Sequence, residues 1–335
     1  MPKTLPLFLR ALAGQNQGHR PPLWVMRQAG RALPPYREIR RQHSLRSLFH
    51  SPEQIGRITA LPIDLLRFDA ALLFADILHV LLPLGVDVDF PERGGLKIHP
   101  TIDALTDLQA LTPSSVSEAH FYSPLGIEKA KERLGETPLI GFSGGPFTVA
   151  HYLTGKKSQR WIYERPEAFN ELIAMLTEIT AEYISLQVAS GVQAIQWFES
   201  WGHLLTEEHF VRYVVRPLQQ LTSSLPDHIP TIVYSKESGQ RISSLLSIGT
   251  QGISCDWALP LNRLREQVSP TTVLQGNIDP HLLYAPRGEI LRQVHLLMER
   301  MEGDPAWICN LGHGVLPDTP YASLEALVQA VQGRR

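Results

Sequence analysis

The chain has 335 residues, 43% hydrophobic and 19% charged, which is enough apolar side chain to bury a large core and excludes a disordered protein. Its 31 basic and 33 acidic side chains leave a formal net charge of −2, which argues against nucleic-acid binding through bulk charge. Two cysteines, Cys255 and Cys309, are too few for a disulfide framework or a four-cysteine zinc site, and they fit a reducing compartment.

Near the start, the apolar stretch Leu5 to Leu9 is cut off by Arg10 and is too short for the core of a signal peptide. A first strand is predicted over 23–27, inside an unusual segment. Residues 20–50 contain Arg20, Arg27, Arg31, Arg37, Arg40, Arg41 and Arg46, no lysine, and only Glu38 on the acidic side, a local charge of +6. A charge run often just solvates a face. Arginine alone, however, suits forked recognition of carboxylate or phosphate. Ala29 and Gly30 between two of these arginines would let the backbone come close to a ligand. The segment therefore points to an anionic small molecule.

Further strands are predicted over 70–74, 138–142, 193–198, 231–235, 252–256, 272–276 and 306–310, eight in all with the first. The most apolar window, 70–86, is interrupted by Asp76, His79 and Pro83 and does not read as a membrane span. The run 86–98, with Pro91-Glu92-Arg93-Gly94-Gly95 in its middle, predicts a hairpin inserted into one strand-to-helix connection. After Pro166, Phe169, Leu172, Ile173 and Leu176 fall on one helical face, with Gly191 past its end. Leu324, Leu327, Val328 and Val331 repeat that spacing after Pro320. Eight strands alternating with helices predict an α/β fold: a single (β/α)8 TIM-type barrel over residues 1–335, in one domain, soluble and cytoplasmic.

Arg27, Asp76, Ser143, Glu199, Ser200, Ser235, Asp256, Asn277 and His313 all fall at or just after predicted strands, where a barrel enzyme builds its active site. A polar residue there is often only a helix cap, but so many together suggest an enzyme. Gly141-Phe142-Ser143-Gly144-Gly145 matches the nucleophile elbow of a serine hydrolase using Ser143, with Asp256 and His313 following in triad order. Pro146 gives the same turn a purely structural explanation. The 13 histidines include no recognised metal motif. Glycines flanking His313 favour a substrate contact over zinc. No complete dinucleotide or Walker loop occurs, so neither a metal nor an organic cofactor is expected.

Together these stretches resemble the uroporphyrinogen decarboxylase family of haem biosynthesis. The resemblance rests on Met26-Arg27-Gln28-Ala29-Gly30-Arg31, Phe74-Ala75-Asp76-Ile77-Leu78, Gly141-Phe142-Ser143-Gly144-Gly145-Pro146 and Phe198-Glu199-Ser200-Trp201. Asp256-Trp257, Gln275-Gly276-Asn277-Ile278-Asp279-Pro280 and Asn310-Leu311-Gly312-His313-Gly314 complete it, in family order over nearly the whole chain. It implies a (β/α)8 barrel, usually a homodimer, with no metal or organic cofactor. The implied reaction converts the four acetates of uroporphyrinogen III to methyl groups, giving coproporphyrinogen III. The family's active-site arginines fall at Arg27, Arg31 and Arg40, its aspartate at Asp76, its tyrosine at Tyr152, its serine at Ser200 and its histidine at His313. The chain departs from the family at Ala32, usually Tyr, at Pro35, usually Glu, and at Ser143, commonly Ala.

The implied chemistry suits these residues. A pyrrole protonated on its ring accepts the electrons released by loss of carbon dioxide, so no cofactor is needed. Arg27 and Arg31 suit carboxylate binding, and Asp76 suits the ring N–H groups and the transient cation. Tyr152 or a water held by Arg27 would supply the proton. The rivals are a zinc-dependent, cobalamin-linked methyltransferase of a related group, a non-catalytic tetrapyrrole carrier and the serine hydrolase. Neither nucleic acid nor membrane is expected as a partner.

Overall fold

Seven of the eight predicted strands pair side by side in one parallel sheet. The computed structural model describes residues 5–89, 97–111 and 113–333. In chain order its strands are β1 (Ala71–Leu72), β2 (Asp87–Asp89), β3 (Lys97–His99), β4 (Leu139–Gly144) and β5 (Ala194–Glu199). They continue with β6 (Thr231–Ser235), β7 (Gly252–Ser254), β8 (Val273–Gln275) and β9 (Trp307–Ile308). The sheet runs β1-β4-β5-β6-β7-β8-β9, each pair parallel. Every residue of β4, β5 and β6 is buried, as a parallel sheet covered on both faces requires. The register sets Gly144 beside Phe198, Phe198 beside Tyr234 and Glu199 beside Ser235, so the carboxyl ends of these strands share one rim.

The remaining predicted strand, the first, over 23–27, is corrected by the structure. It makes a single parallel bridge, Leu23 to Cys309. Pro21 and Pro22 remove the amides before it, and Gln28 N–H turns back to the Val25 carbonyl at 3.1 Å. The segment nevertheless touches both edges of the sheet. Cys309 N–H donates to the Pro22 carbonyl at 2.9 Å on one side, and Asp69 N–H to the Leu23 carbonyl at 2.8 Å on the other. Arg20 grips the Asp69 carboxylate with two bonds, 2.7 and 2.8 Å, and Asp69 also accepts the Leu23 amide at 2.7 Å. Inside, Trp24 Nε1 donates to Gln275 Oε1 at 2.9 Å. The whole is a curled, mostly parallel α/β sheet of TIM-like form.

β2 and β3 pair antiparallel, Val88 opposite Ile98. The predicted turn, Pro91 to Gly95, lies outside the described residues. The predicted long helix is Pro166–Ala189, with Phe169, Leu172, Ile173 and Leu176 buried. Among the described helices it alone has the length and apolar character to cross a membrane, and half of that stretch is buried in the fold. It packs on β4, where Gln187 makes two side-chain bonds to the Phe142 backbone, 2.9 and 3.0 Å. The helix Tyr321–Gln332 likewise buries Leu324, Leu327, Val328 and Val331.

Candidate active site

At the carboxyl rim of the sheet lies a cleft of about 430 Å³. Six of the seven residues singled out in the sequence line it: Arg27, Arg31, Asp76, Tyr152, Ser200 and His313. They come from five separate stretches of chain, Arg27 and Arg31 sharing one, brought together by the fold of the sheet.

Arg27 sits at φ 61°, in the left-handed region, where a long side chain costs about 1–2 kcal/mol. The surroundings hold it there. Met26 N–H donates to Asn310 Oδ1 at 3.2 Å, and Val315 N–H to the Met26 carbonyl at 2.9 Å. Gly314 lies flat on the arginine, where an added Cβ would stand 2.7 Å from Arg27 Cγ. The glycines of both motifs thus serve the arginine: a Cβ on Gly30 would stand 2.9 Å from the Arg27 carbonyl oxygen. Ala29 and Gly30 also line the cleft, as expected of a backbone that approaches a ligand.

Arg31 is exposed at the cleft mouth, its carbonyl held by Arg37 Nη1 at 2.9 Å. Arg40 is not among the lining residues. It lies on the helix Pro34–Gln42 with its guanidinium on the His43 carbonyl. It reaches the site only through the field it exerts on Tyr36, a buried lining residue. Burial pushes that phenol up in pKa, and the charges of Arg40 and Arg31 oppose the rise.

Asp76 follows β1 in a tight loop. Leu78 N–H donates to its Oδ1 at 2.9 Å, and no described residue donates to its Oδ2. Its own amide donates to His79 Nδ1 at 3.4 Å. Burial raises the Asp76 carboxyl to about 6, opposed by the Leu78 amide and by the Arg27 charge. Burial, helped by His120 and His50, drives His79 down to about 3, so it is a neutral acceptor. His79 entered the sequence reading only as a break in an apolar window. Its role behind Asp76 shows only once the loop is folded.

Tyr152 stands on the helix Pro146–Leu153, edge-on to Trp201 with ring centres 6.1 Å apart. Ser200 follows the last residue of β5. His313 meets Tyr234 edge-on at 6.1 Å. Burial lowers the His313 pKa, as do the charges of Arg27 and Lys236. The walls are aromatic: Phe142 and Phe198 are 5.5 Å apart at 87°, and Phe198 and Tyr234 6.1 Å apart. Phe142 and Phe198 belong to motifs quoted above without a role of their own, and Tyr234 to none. The signal for them was position, since each lies within two residues of a strand end.

Two guanidinium groups, an ionisable carboxylate with an uncommitted oxygen and flat aromatic walls make a receptacle for an anionic, ring-shaped ligand that offers N–H donors. The hydrolase geometry does not form. Ser143 lies inside β4, fully buried, and its Oγ has no hydrogen-bond partner among the described residues. It is therefore not on a strand-to-helix turn, which instead begins at Gly145 and Pro146. Asp256 gives its carboxylate to the amides of Glu237 and Ala258. Among the described residues no three His, Cys, Asp or Glu side chains converge as metal ligands. Both cysteines are buried, and burial pushes each thiol up to about 12.

Comparison with known proteins agrees with this geometry. The family model described as "Uroporphyrinogen decarboxylase (URO-D)" matches residues 3–334. The chain is 37% identical over 336 residues to the uroporphyrinogen decarboxylase of Protochlamydia amoebophila, covering 98% of this chain and 92% of the relative. It is 38% identical over 338 residues to that of Methylococcus capsulatus, covering 97% and 96%. Among solved structures, a methyltransferase from Methanosarcina mazei superimposes with a TM-score of 0.81 at 19% identity, over 98% of this chain and 99% of the other, which speaks for the fold alone. The chain belongs to the uroporphyrinogen decarboxylase family.

Proposed function

We propose that the cleft decarboxylates the four acetate side chains of uroporphyrinogen III to methyl groups, giving coproporphyrinogen III for porphyrin and haem synthesis. The observation that carries this reading is Asp76, an ionisable carboxylate with one oxygen uncommitted, set among aromatic walls in the same cleft as Arg27 and Arg31. Arg27 and Arg31 bind substrate carboxylates through forked, charge-assisted hydrogen bonds. Asp76 accepts the pyrrole N–H groups and opposes the positive charge that forms when the ring is protonated. Tyr152, Ser200 and His313 complete the contacts around the macrocycle, and Arg40 adds its positive charge to the cleft beside Tyr36.

The reaction balances without a cofactor. A proton adds to the pyrrole ring, and the electron pair of the breaking carbon–carboxylate bond flows into the cationic ring as carbon dioxide leaves. A second proton adds to the exocyclic carbon to make the methyl group, and the ring gives its first proton back. Each acetate therefore consumes one proton net, delivered by Tyr152 or by a water held by Arg27. Tyr152→Phe separates the two donors, since only the first loses the protonation step.

The same reading takes the chain as one domain closed into a (β/α)8 barrel, supported by the main-chain bonds of residues 22–24 to both sheet edges. It also makes the protein a cytoplasmic homodimer that needs neither metal nor organic cofactor and binds neither nucleic acid nor membrane. Incubating chelator-treated protein anaerobically with uroporphyrinogen III, then chromatographing the oxidised products, tests it. Porphyrins with seven, six, five and four carboxylates should appear. Unchanged substrate, or turnover restored only by added metal, would overturn the reading.

A further inference from the structure

One buried charge is not used by that mechanism. Glu199, the last residue of β5, has no exposure to solvent. Its carboxylate accepts hydrogen bonds from the Thr148 hydroxyl, from the Thr148 amide at 3.3 Å and from the Trp201 amide at 3.4 Å. The Thr148 oxygen in turn accepts the Ser200 amide at 2.9 Å and shares the Trp201 amide at 3.3 Å. A threonine hydroxyl has one proton and two lone pairs, and here all three are engaged.

The node joins two pieces of the cleft. Thr148 is in the first turn of the helix Pro146–Leu153, and Tyr152 lies four residues later on the same face. Ser200 and Trp201 begin the loop after β5. The Trp201 ring then closes the unit, edge-on to Tyr152 and tilted against His151 with centres 4.7 Å apart. Gly145 is glycine because a Cβ there would run into Glu199 Oε2.

We propose that Thr148 and Glu199 are positioning residues, a buried strut that sets Tyr152 and Ser200 relative to each other and so aligns the substrate. The inference rests on the function proposed above. A strut needed only for folding would be cheaper as an apolar pair, because a buried carboxylate carries a large desolvation cost. That cost is visible here: burial raises Glu199 to about 7 despite its hydrogen bonds. What the carboxylate offers beyond an apolar side chain is direction, since its acceptor sites fix the rotation of the helix and the path of the Ser200 loop at once.

Thr148→Ser keeps the hydroxyl and Thr148→Val keeps the shape, so the pair isolates the node. The first measurement is amide hydrogen exchange of the peptide 198–205 in the full protein, which needs no substrate. The Val variant should exchange roughly tenfold or more faster and the Ser variant near the parent. The second is decarboxylation of uroporphyrinogen III. The Val variant should lose roughly 10–100-fold in kcat, the scale of a misplaced reacting group, with KM within a few-fold because the arginines are untouched. The Ser variant should keep most of the parent's kcat. Parent-like exchange in Val, or a Ser variant as impaired as Val, overturns the strut. Fast exchange with parent-like kcat leaves the node structural and overturns the positioning role. An inactive parent counts against the proposed function, and the exchange arm still judges the strut.

Discussion

Replacing Asp76 with Asn is expected to stabilise the protein at neutral pH while slowing its chemistry. Burial lifts the folded carboxyl from its ordinary 3.8 to about 6. The folded state then holds this proton more tightly than the unfolded chain. Its contribution to stability is fully present below about pH 4 and is lost as the pH rises through about 6. At about 1.4 kcal/mol per pH unit, the ionised carboxylate costs the fold about 3 kcal/mol at pH 7. Asp76 keeps some exposure to the cleft, and water there brings the cost to about 1–3 kcal/mol. Asn retains an acceptor for the Leu78 amide and carries no charge. Urea titrations should therefore show Asp76→Asn more stable than the parent by that amount at pH 7 and equal to it at pH 4. Decarboxylation of uroporphyrinogen should fall by about 10²–10³, the usual loss for a preorganised electrostatic group. An Asn variant less stable than the parent at pH 7, or one turning over within a few-fold of it, would refute the reasoning.

Gly314→Ala should displace Arg27, since the new Cβ would stand 2.7 Å from Arg27 Cγ. The overpacking should cost about 1–3 kcal/mol in urea, with KM rising roughly tenfold. Arg31→Lys keeps the charge and loses the fork, so substrate affinity should drop by about 1–3 kcal/mol in a direct titration. An unchanged affinity would remove Arg31 from the site. Asp69→Asn weakens the grip of Arg20, whose side chain is 26% exposed against 13% for the aspartate. Thermal unfolding should show a loss of about 1–3 kcal/mol, with kcat unchanged at low temperature because Asp69 precedes β1, away from the cleft.

The strands were legible wherever an apolar, β-branched run had to be buried on both faces, as in β4, β5 and β6. The segment 23–27 failed that rule. Its Leu-Trp-Val pattern reads as a strand, but two prolines precede it and Arg27 turns the chain away after it. Ser143 was misplaced for a related reason. The sequence suggested that glycine ends the strand, yet Gly144 still pairs with Phe198 and its amide reaches the Ile77 carbonyl at 3.1 Å. Arginines, Asp76 and His313 could be read because their chemistry is rare in such loops. Arg40 was equally conspicuous, but residues 34–42 form a helix, and Arg40 lies behind Tyr36 rather than in the lining. Glu199 could be read as a strand-end residue, but its bond to Thr148, fifty-one residues away, could not, and Thr148 and His79 were hidden because their importance lies only in what they bond to.

The way the segment 22–24 fills the gap between β9 and β1 bears on how the protein is born. Pro22, Leu23 and Met26 find their main-chain and side-chain partners at Cys309 and Asn310, so they must wait until synthesis has passed Asn310. Until then the growing sheet has two open edges, the condition in which nascent chains associate wrongly. Closing so long a loop adds little to the equilibrium cost but much to the time required. The arginine loop is thus fixed together with the cleft residues that follow β9, and a nascent chain acquires its anion-binding side only once that strand has been made.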